Sequence, residues 1–245
     1  MEYIIPKKIH YCWYGGQFLP KLAKRCLDSW SRHLPDYELK RWDESNTDLT
    51  ANRYVREAYE AGKYAFVSDY MRLKVLYEEG GIYMDTDVEV VKNLDCFLVH
   101  RAFSGFESPL RVPTGIMGAE KGHSWIQYLL KLYDKKGFIK EDGKYDTTPN
   151  TVLITKASLK QGLKLTNEQQ MFNGVVIYPK KVFCPKDYDD YRYETSECTY
   201  TVHHFSGSWY SRETRWLMNF KIHIVKRFFP MLDKPLTTLY HRFWT

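Results

Sequence analysis

The sequence predicts a single α/β domain, and three observations carry that prediction. Short apolar runs closed by Gly or Pro alternate with segments of helical periodicity. The 245 residues are enough for one large core. With 44% apolar, 16% aromatic and 27% charged residues, the chain can bury enough surface to offset the entropy of ordering it, which a polar disordered segment cannot do.

In chain order, IPKKIHYCWYGG (residues 5–16) reads as a buried first strand ending in a glycine turn. LPKLAKRCLDSWSRHL then places Leu22, Cys26 and Trp30 along one helix face. Pro35 and Asp36 punctuate the chain before YELKRW, a second strand, and residues 51–61 are helical up to Gly62. In YAFVSDYMRLKVLYEEGG, Phe66, Tyr70, Leu73 and Tyr77 recur at helical spacing, and Gly80 with Gly81 supplies the C-terminal stop. IYM follows as a short strand. AFSGFE, TGIMGA, VVIYP and TYTVHHF are further strands, with helices around 123–135 and 150–160. The alternation of strand and helix predicts a parallel sheet. No internal repeat, low-complexity tract or proline-rich linker interrupts it.

The formal net charge of +6 is unevenly placed. Residues 211–245 carry seven Lys/Arg against Glu213 and Asp233, while the first 210 hold 29 basic and 28 acidic residues. The expected organisation is therefore one domain over residues 1–210 and a basic aromatic tail over 211–245, in which Leu217, Phe220, Ile224 and Phe228 share a helical face opposite Arg215 and Lys226. Such a helix either packs against the domain or lies on an anionic bilayer. Nucleic acid is excluded as a partner, because no groove-reading or RNA-binding module accompanies the charge. No run of about 18 apolar residues is present, and MEYIIPKKIH lacks the apolar region of a signal peptide, so a cytoplasmic location is expected. Cys12, Cys26, Cys96, Cys184 and Cys198 are scattered without metal-type pairing and read as inert thiols.

The stretch EGGIYMDTDVEV (residues 79–90) carries the chemistry. Two residues apart on an extended strand, Asp85 and Asp87 would face one side and present both carboxylates to one point. Two like charges so placed repel unless a cation lies between them. A hard divalent ion, Mn²⁺ or Mg²⁺, completed by substrate phosphates, supplies the reason, and ligands of α/β sheets bind beyond the carboxyl ends of strands. A solvated turn is the plain alternative. Upstream, Asp69 and Arg72 stand three apart on one helix face, as a surface ion pair or as part of the same site.

IHYCWYGG, AFVSDYMR, LYEEGGIYMDTDVEV and HHFSGSW together resemble the family 32 glycosyltransferases, DxD sugar transferases that include initiating mannosyltransferases and bacterial capsule-synthesis enzymes. The spacing of Asp69, Arg72, Tyr83, Asp85 and Asp87 is also similar to that in the catalytic cores of clostridial glucosylating toxins. The resemblance spans residues 4–210. It implies a GT-A fold, a nucleotide-binding sheet merged with an acceptor-binding half, and metal-dependent transfer with retained configuration from a nucleotide sugar, a UDP-sugar first and GDP-mannose second. It further implies that Asp87 ligates the metal directly, while Asp85, placed with it at the metal, touches ribose, sugar or a metal-bound water. Asp69 and Arg72 would hold sugar hydroxyls, Trp13 would stack on the base, and Tyr83 would line the donor pocket. His203, then His204, would add a metal or diphosphate contact, unless the pair is a hydrogen-bonded structural feature. Ser208 and Trp209 would cover the diphosphate. Relatives often place an asparagine near the segment that here carries Thr114. Glu107, in GFESP, is either an acid near the sugar or an exposed loop carboxylate.

The function expected from this resemblance is transfer of a hexose or N-acetylhexosamine to a saccharide acceptor, free or lipid-linked, in bacterial surface polysaccharide synthesis, in the cytoplasm or on the inner face of the plasma membrane. Two other functions stay open: a toxin-like effector that glycosylates a host protein, and an idle sugar-nucleotide or glycan-binding module. The intact set of Asp69, Arg72, Asp85 and Asp87 speaks against the idle module, since sugar binding alone does not require a diphosphate-coordinating metal.

Overall fold

The computed structural model describes residues 2–186 and 195–207. Ser208, Trp209 and the expected helix in 211–245 lie outside the described residues. The elements run β1 (Lys8–Cys12), α1 (Lys21–His33), β2 (Glu38–Trp42), α2 (Arg53–Glu60), α3 (Tyr64–Glu79), β3 (Gly81–Met84), β4 (Val88–Val90), a 3₁₀ turn (Asp95–Phe97), β5 (Ala102–Gly105) and β6 (Ile116–Ala119). They continue with α4 (Ser124–Lys131), α5 (Asn150–Leu159), β7 (Gln170–Phe172), β8 (Val175–Tyr178), α6 (Lys180–Phe183) and β9 (Thr201–His203).

The α/β expectation holds. A seven-stranded sheet has the order β2-β1-β3-β6-β5-β8-β7, and β4 with β9 forms a separate two-stranded ladder. The expectation of a parallel sheet is corrected to a mixed one. β1 is parallel to both β2 and β3, and β5 to β8, whereas β6 runs antiparallel between β3 and β5, and β7 antiparallel to β8. The short connection from β5 to β6 leaves no room for a crossover helix, so these neighbours pair head to tail. Strands β4 and β7 and helix α6 were not anticipated, since three or four residues carry too little periodicity to register.

Period-two alternation sorts the strands onto two cores. Tyr83, Ala102, Met117, Val175 and Ile177 join the cluster beneath α2, α3, α4 and α5. Ile82, Met84, Phe103, Ile116 and Val176 join the opposite cluster with Trp30 of α1, Val88 and Val90 of β4, and Phe183 of α6. Covered on both faces, the sheet reads as nearly continuous apolar runs.

Helix α3 lies at the centre of the first layer, packed on α2, α4 and the sheet. It buries Phe66, Val67, Met71, Leu73, Val75 and Leu76 together with the charged Asp69 and Arg72. Gly80 ends it at φ 69°, and Gly81 starts β3 at φ 110° with its would-be Cβ only 2.7 Å from the Lys8 carbonyl. Only glycine suits that close approach. Trp42 Nε1 donates to His10 Nδ1 at 3.1 Å, which leaves the proton on Nε2 to donate to the Gly80 carbonyl at 2.8 Å. No described helix is long and apolar enough to cross a membrane. All five cysteines are free, with Cys12, Cys26 and Cys184 buried and Cys96 exposed.

Glu79, the last residue of α3, ties the helix to the sheet edge by accepting from Lys8 at 2.8 Å and Lys40 at 2.6 Å. Burial works against its charge, but the two ammonium groups outweigh burial and hold its pKa down, at about 2. A carboxylate depressed in this way stabilises the fold above its unfolded pKa, and that contribution is lost as pH falls through the folded value. Glu79→Gln should therefore lower stability by about 1–2 kcal/mol at neutral pH, with the deficit against wild type closing as pH falls from about 4.5 towards 2. Denaturant melts across that range measure the gap, and a pH-independent deficit would contradict the pairing.

Candidate active site

β1, β3 and β5 run in the same direction, so their C-terminal ends share one edge of the sheet with the start of β6. Trp13 stands just beyond β1, Asp85 just beyond β3, Glu107 just beyond β5, and Thr114 and Gly115 just before β6. This is the edge at which open α/β sheets bind ligands.

Asp85 and Asp87 do not continue the strand, which corrects the extended geometry expected for them. They lie in a turn closed by the Val88 amide donating to the Asp85 carbonyl at 3.0 Å. The chain turns because β4 leaves the sheet for the layer under α1, where Trp30 Nε1 donates to the Val88 carbonyl at 2.7 Å and Ser29 Oγ accepts from the Val90 amide at 2.9 Å. β4 then pairs with β9, placing Val88 opposite His203. The turn, together with β9, brings the carboxylates to one point.

On one side of that point, Arg72 binds both its neighbours. Its Nη2 donates to Asp69 Oδ1 at 3.2 Å and to Asp85 Oδ1 at 3.0 Å. The guanidinium lies 4.7 Å over the Tyr83 ring, whose hydroxyl is 3.3 Å from Asp85 Oδ1. Asp69 and Arg72 are buried, so the surface ion-pair reading is set aside. Burial pushes the Asp69 carboxyl up, to about 7, against the pull of Arg72. Burial works against the guanidinium charge, but Asp85, with Asp69 and its other neighbours, outweighs that cost and keeps it charged.

On the other side, Asp87 is 9% exposed and accepts the Ser206 amide at 2.7 Å, with His203 Nε2 at 3.3 Å. Its backbone carbonyl accepts the His204 amide at 2.9 Å. Burial opposes the Asp87 charge, but His203 and the Ser206 amide hold its pKa well below the usual carboxylate range. Burial also opposes charging of His203, and Asp87 more than reverses that, holding the imidazole well above its ordinary value. Gly115 makes the approach feasible: a Cβ there would meet Val88 Cγ2 at 2.7 Å, Asp85 Oδ2 at 3.3 Å and His203 Cδ2 at 3.3 Å.

The structure separates the two histidines. His203 faces the aspartates. His204 Nε2 lies 2.7 Å from Glu89 Oε2 and 3.3 Å from Arg25 Nη2, with burial holding its pKa down, so His204 stands outside the aspartate cluster as a hydrogen-bonded partner of β4. Glu107 is not an exposed loop carboxylate: its side chain is 22% exposed, Oε1 lies 3.8 Å from His203 Nδ1, and burial pushes its pKa up, to about 7. Trp13 is half-buried and donates Nε1 to the Gln17 carbonyl at 2.6 Å. Thr114 Oγ1 is buried without a hydrogen-bond partner. Two groups escaped sequence reasoning altogether: Gly115, and Lys186, a buried lysine whose Nζ donates to the His204 carbonyl at 2.9 Å and so braces the segment wrapped around Asp87. A glycine before a strand and a lysine after a short helix carry no signal of their own.

One ligand atom each from Asp85, Asp87 and His203 all lie within 4.8 Å of one another. Two carboxylate oxygens and one imidazole nitrogen suit a divalent cation of intermediate hardness and leave positions for substrate oxygens. The donor set fits the expected ion.

Comparison with known proteins is consistent with this chemistry. Residues 20–104 match the family model described as a glycosyltransferase sugar-binding region containing a DXD motif. The chain is 32% identical over 134 residues to inositol phosphoceramide mannosyltransferase 3 of Schizosaccharomyces pombe, covering 52% of this chain and 36% of that protein. It is 33% identical over 151 residues to mannosyl phosphorylinositol ceramide synthase SUR1 of Saccharomyces cerevisiae, covering 56% of this chain and 37% of that protein. The chain thus spans a little over a third of the length of these curated relatives. Among solved structures, PaToxG glycosyltransferase superposes with a TM-score of 0.47 at 19% identity, covering 64% of this chain and 69% of that one.

Arg72 is the shared cation of Asp69 and Asp85, and its removal leaves two carboxylates in a poorly solvated site. Arg72→Met should destabilise the protein by about 3–5 kcal/mol. Adding Asp69→Asn should recover part of that loss, so a double-mutant cycle by chemical denaturation should give a coupling energy of about 1 kcal/mol or more. Strict additivity would show that the two side chains do not depend on each other.

Proposed function

We propose that this chain is a divalent-cation-dependent glycosyltransferase that takes a hexose from a nucleotide sugar and passes it to a saccharide acceptor on a GT-A-type sheet. One observation carries the reading: Asp85, Asp87 and His203 converge at the C-terminal edge of the sheet, beside the buried Asp69–Arg72 pair. Sugar-to-phosphate cleavage builds negative charge on the departing nucleoside diphosphate, and a bound cation supplies Lewis-acid stabilisation of that charge. The protein's own part is positional. Asp87 and His203 hold the cation, and Asp85 completes the site while Arg72 and the Tyr83 hydroxyl keep its carboxylate in place. In the same reading Asp69 and Arg72 meet sugar hydroxyls, Trp13 stacks on the base, and Ser208 with Trp209 covers the diphosphate. Configuration at the transferred carbon is retained, as in the family the sequence resembles.

Both curated relatives described above are named for mannose or mannosyl transfer, which supports GDP-mannose as the first donor to test, ahead of UDP-hexoses. Their names also support a lipid with a phosphoinositol headgroup as an acceptor class to test beside saccharides. Assembly of a surface glycan on the cytoplasmic side, with residues 211–245 touching the bilayer, belongs to the same proposal.

The test is a panel of GDP-mannose, UDP-glucose, UDP-galactose and UDP-N-acetylglucosamine, scored by Mn²⁺-dependent thermal stabilisation and by donor hydrolysis, neither of which needs the acceptor. One donor should raise Tm with Mn²⁺ and lose the effect with EDTA. Asp87→Asn should cut hydrolysis of that donor by at least about 100-fold while leaving the circular dichroism spectrum unchanged. A folded Asp87→Asn protein with near wild-type turnover would defeat the proposal.

A further inference from the structure

We infer that Glu107 is a positioning residue for His203, accepting the Nδ1 proton so that the Nε2 lone pair is presented to the cation. The inference rests on the metal-site reading above and extends it to a residue outside the aspartate motif.

The His203 ring is confined on every side. Nε2 lies 3.3 Å from Asp87 Oδ1, Phe205 packs against the ring at a centroid distance of 4.3 Å, and Gly115 leaves just enough room at Cδ2. Nδ1 is buried and makes no hydrogen bond. The acid facing it is Glu107, with Oε1 at 3.8 Å. Cys184 is the ring's other polar neighbour, and its thiol is directed to the Lys186 carbonyl at 3.8 Å.

Glu107 is held where it stands by backbone ties. The Phe106 amide donates to the Tyr178 carbonyl at 3.0 Å, the Glu107 amide to the Arg111 carbonyl at 2.9 Å, and the Thr114 amide to the Gly105 carbonyl at 3.1 Å. These bonds fix both ends of the β5–β6 connection, so the carboxylate is presented from a rigid loop.

A neutral imidazole carries one proton on one of its two nitrogens. If Nε2 is to donate its lone pair to a cation, the proton must sit on Nδ1, and a buried N–H without an acceptor is costly. A carboxylate beyond Nδ1 resolves this: it fixes the tautomer, orients the ring and raises the basicity of Nε2. Shortening the contact by about 1 Å gives an ordinary charge-assisted hydrogen bond, a movement within the reach of a Glu side chain. Aspartate at the same position would be one methylene short.

The experiment uses the full chain as wild type, Glu107→Ala, Glu107→Gln and Cys184→Ala. Mn²⁺ is titrated in the presence of GDP or UDP, with the thermal shift as readout. The expected result is a 10–100-fold higher Mn²⁺ midpoint for Glu107→Ala. Glu107→Gln, whose amide oxygen still accepts, should recover most of the loss, and Cys184→Ala should match wild type. At saturating Mn²⁺ the kcat for donor hydrolysis by Glu107→Ala should approach wild type. In parallel, ¹⁵N NMR of wild type loaded with diamagnetic Cd²⁺, with the His203 resonance assigned by His203→Gln, should show the proton on Nδ1, a readout that needs no Glu107 variant to fold. An unchanged midpoint in Glu107→Ala would overturn the inference, as would a shift confined to Cys184→Ala or a proton found on Nε2. Loss of hydrolysis at an unchanged Mn²⁺ midpoint would also overturn it, by placing Glu107 on the substrate. A wild type that does not respond to Mn²⁺ with either nucleotide would instead refute the metal reading itself.

Discussion

Carboxylates gathered at one edge of the sheet must be neutralised, and the chain path is organised around that need. Like charges about 4 Å apart cost about 4 kcal/mol at an effective dielectric of 20, which a fold of ordinary stability cannot leave unanswered. Two cations answer it from opposite sides. Arg72, rising from the buried helix α3, takes Asp69 and Asp85. His203, on the last described strand, takes Asp87. The arrangement is stable as a set of charges yet leaves ligand atoms of Asp85, Asp87 and His203 converging on one space.

Supporting that set takes both layers of the fold. α3 buries Phe66, Val67, Met71, Leu73, Val75 and Leu76 along with Asp69 and Arg72, so the two charged side chains project from a helix anchored by close packing. The Gly80–Gly81 junction then returns the chain into β3 of the sheet on which α3 packs, and four residues after Gly81 Asp85 meets the arginine that α3 provides. Val88 and Val90, sunk beneath α1, pull the chain out of the sheet at the point where the acids must turn inward. Gly115 gives up a side chain so that Val88, Asp85 and His203 can close on one another. The polar site and the apolar core are thus consequences of the same chain path.

The difference between His203 and His204 shows how register decides chemistry. The residues are adjacent on an extended segment, so their side chains face opposite ways. Pairing Val88 with His203 in the β4–β9 ladder points one ring at Asp87 and sends the other to Glu89 and Arg25. A slip of one residue would exchange their roles. Glu107 belongs to the same kind of fact: a carboxylate in a loop, brought to the far nitrogen of His203 by the way β5 and β6 pair.

The α/β class, most of the longer elements and the neighbouring Asp69, Arg72, Asp85 and Asp87 were legible in the amino-acid order alone. Asp69 and Arg72 are encoded in their spacing along one helix, where backbone geometry fixes which residues share a face, and Asp85 and Asp87 are marked by standing at the end of an apolar run. Folding in three dimensions settled that β6 runs against its neighbours, that the two aspartates occupy a turn, which histidine joins them, and that Glu107 and Gly115 stand beside it. Those outcomes depend on pairing between segments far apart in the chain, as when Val88 pairs with His203. Hydrophobic periodicity reports that a strand is buried, but it carries no information about which partner the strand will choose or in what register.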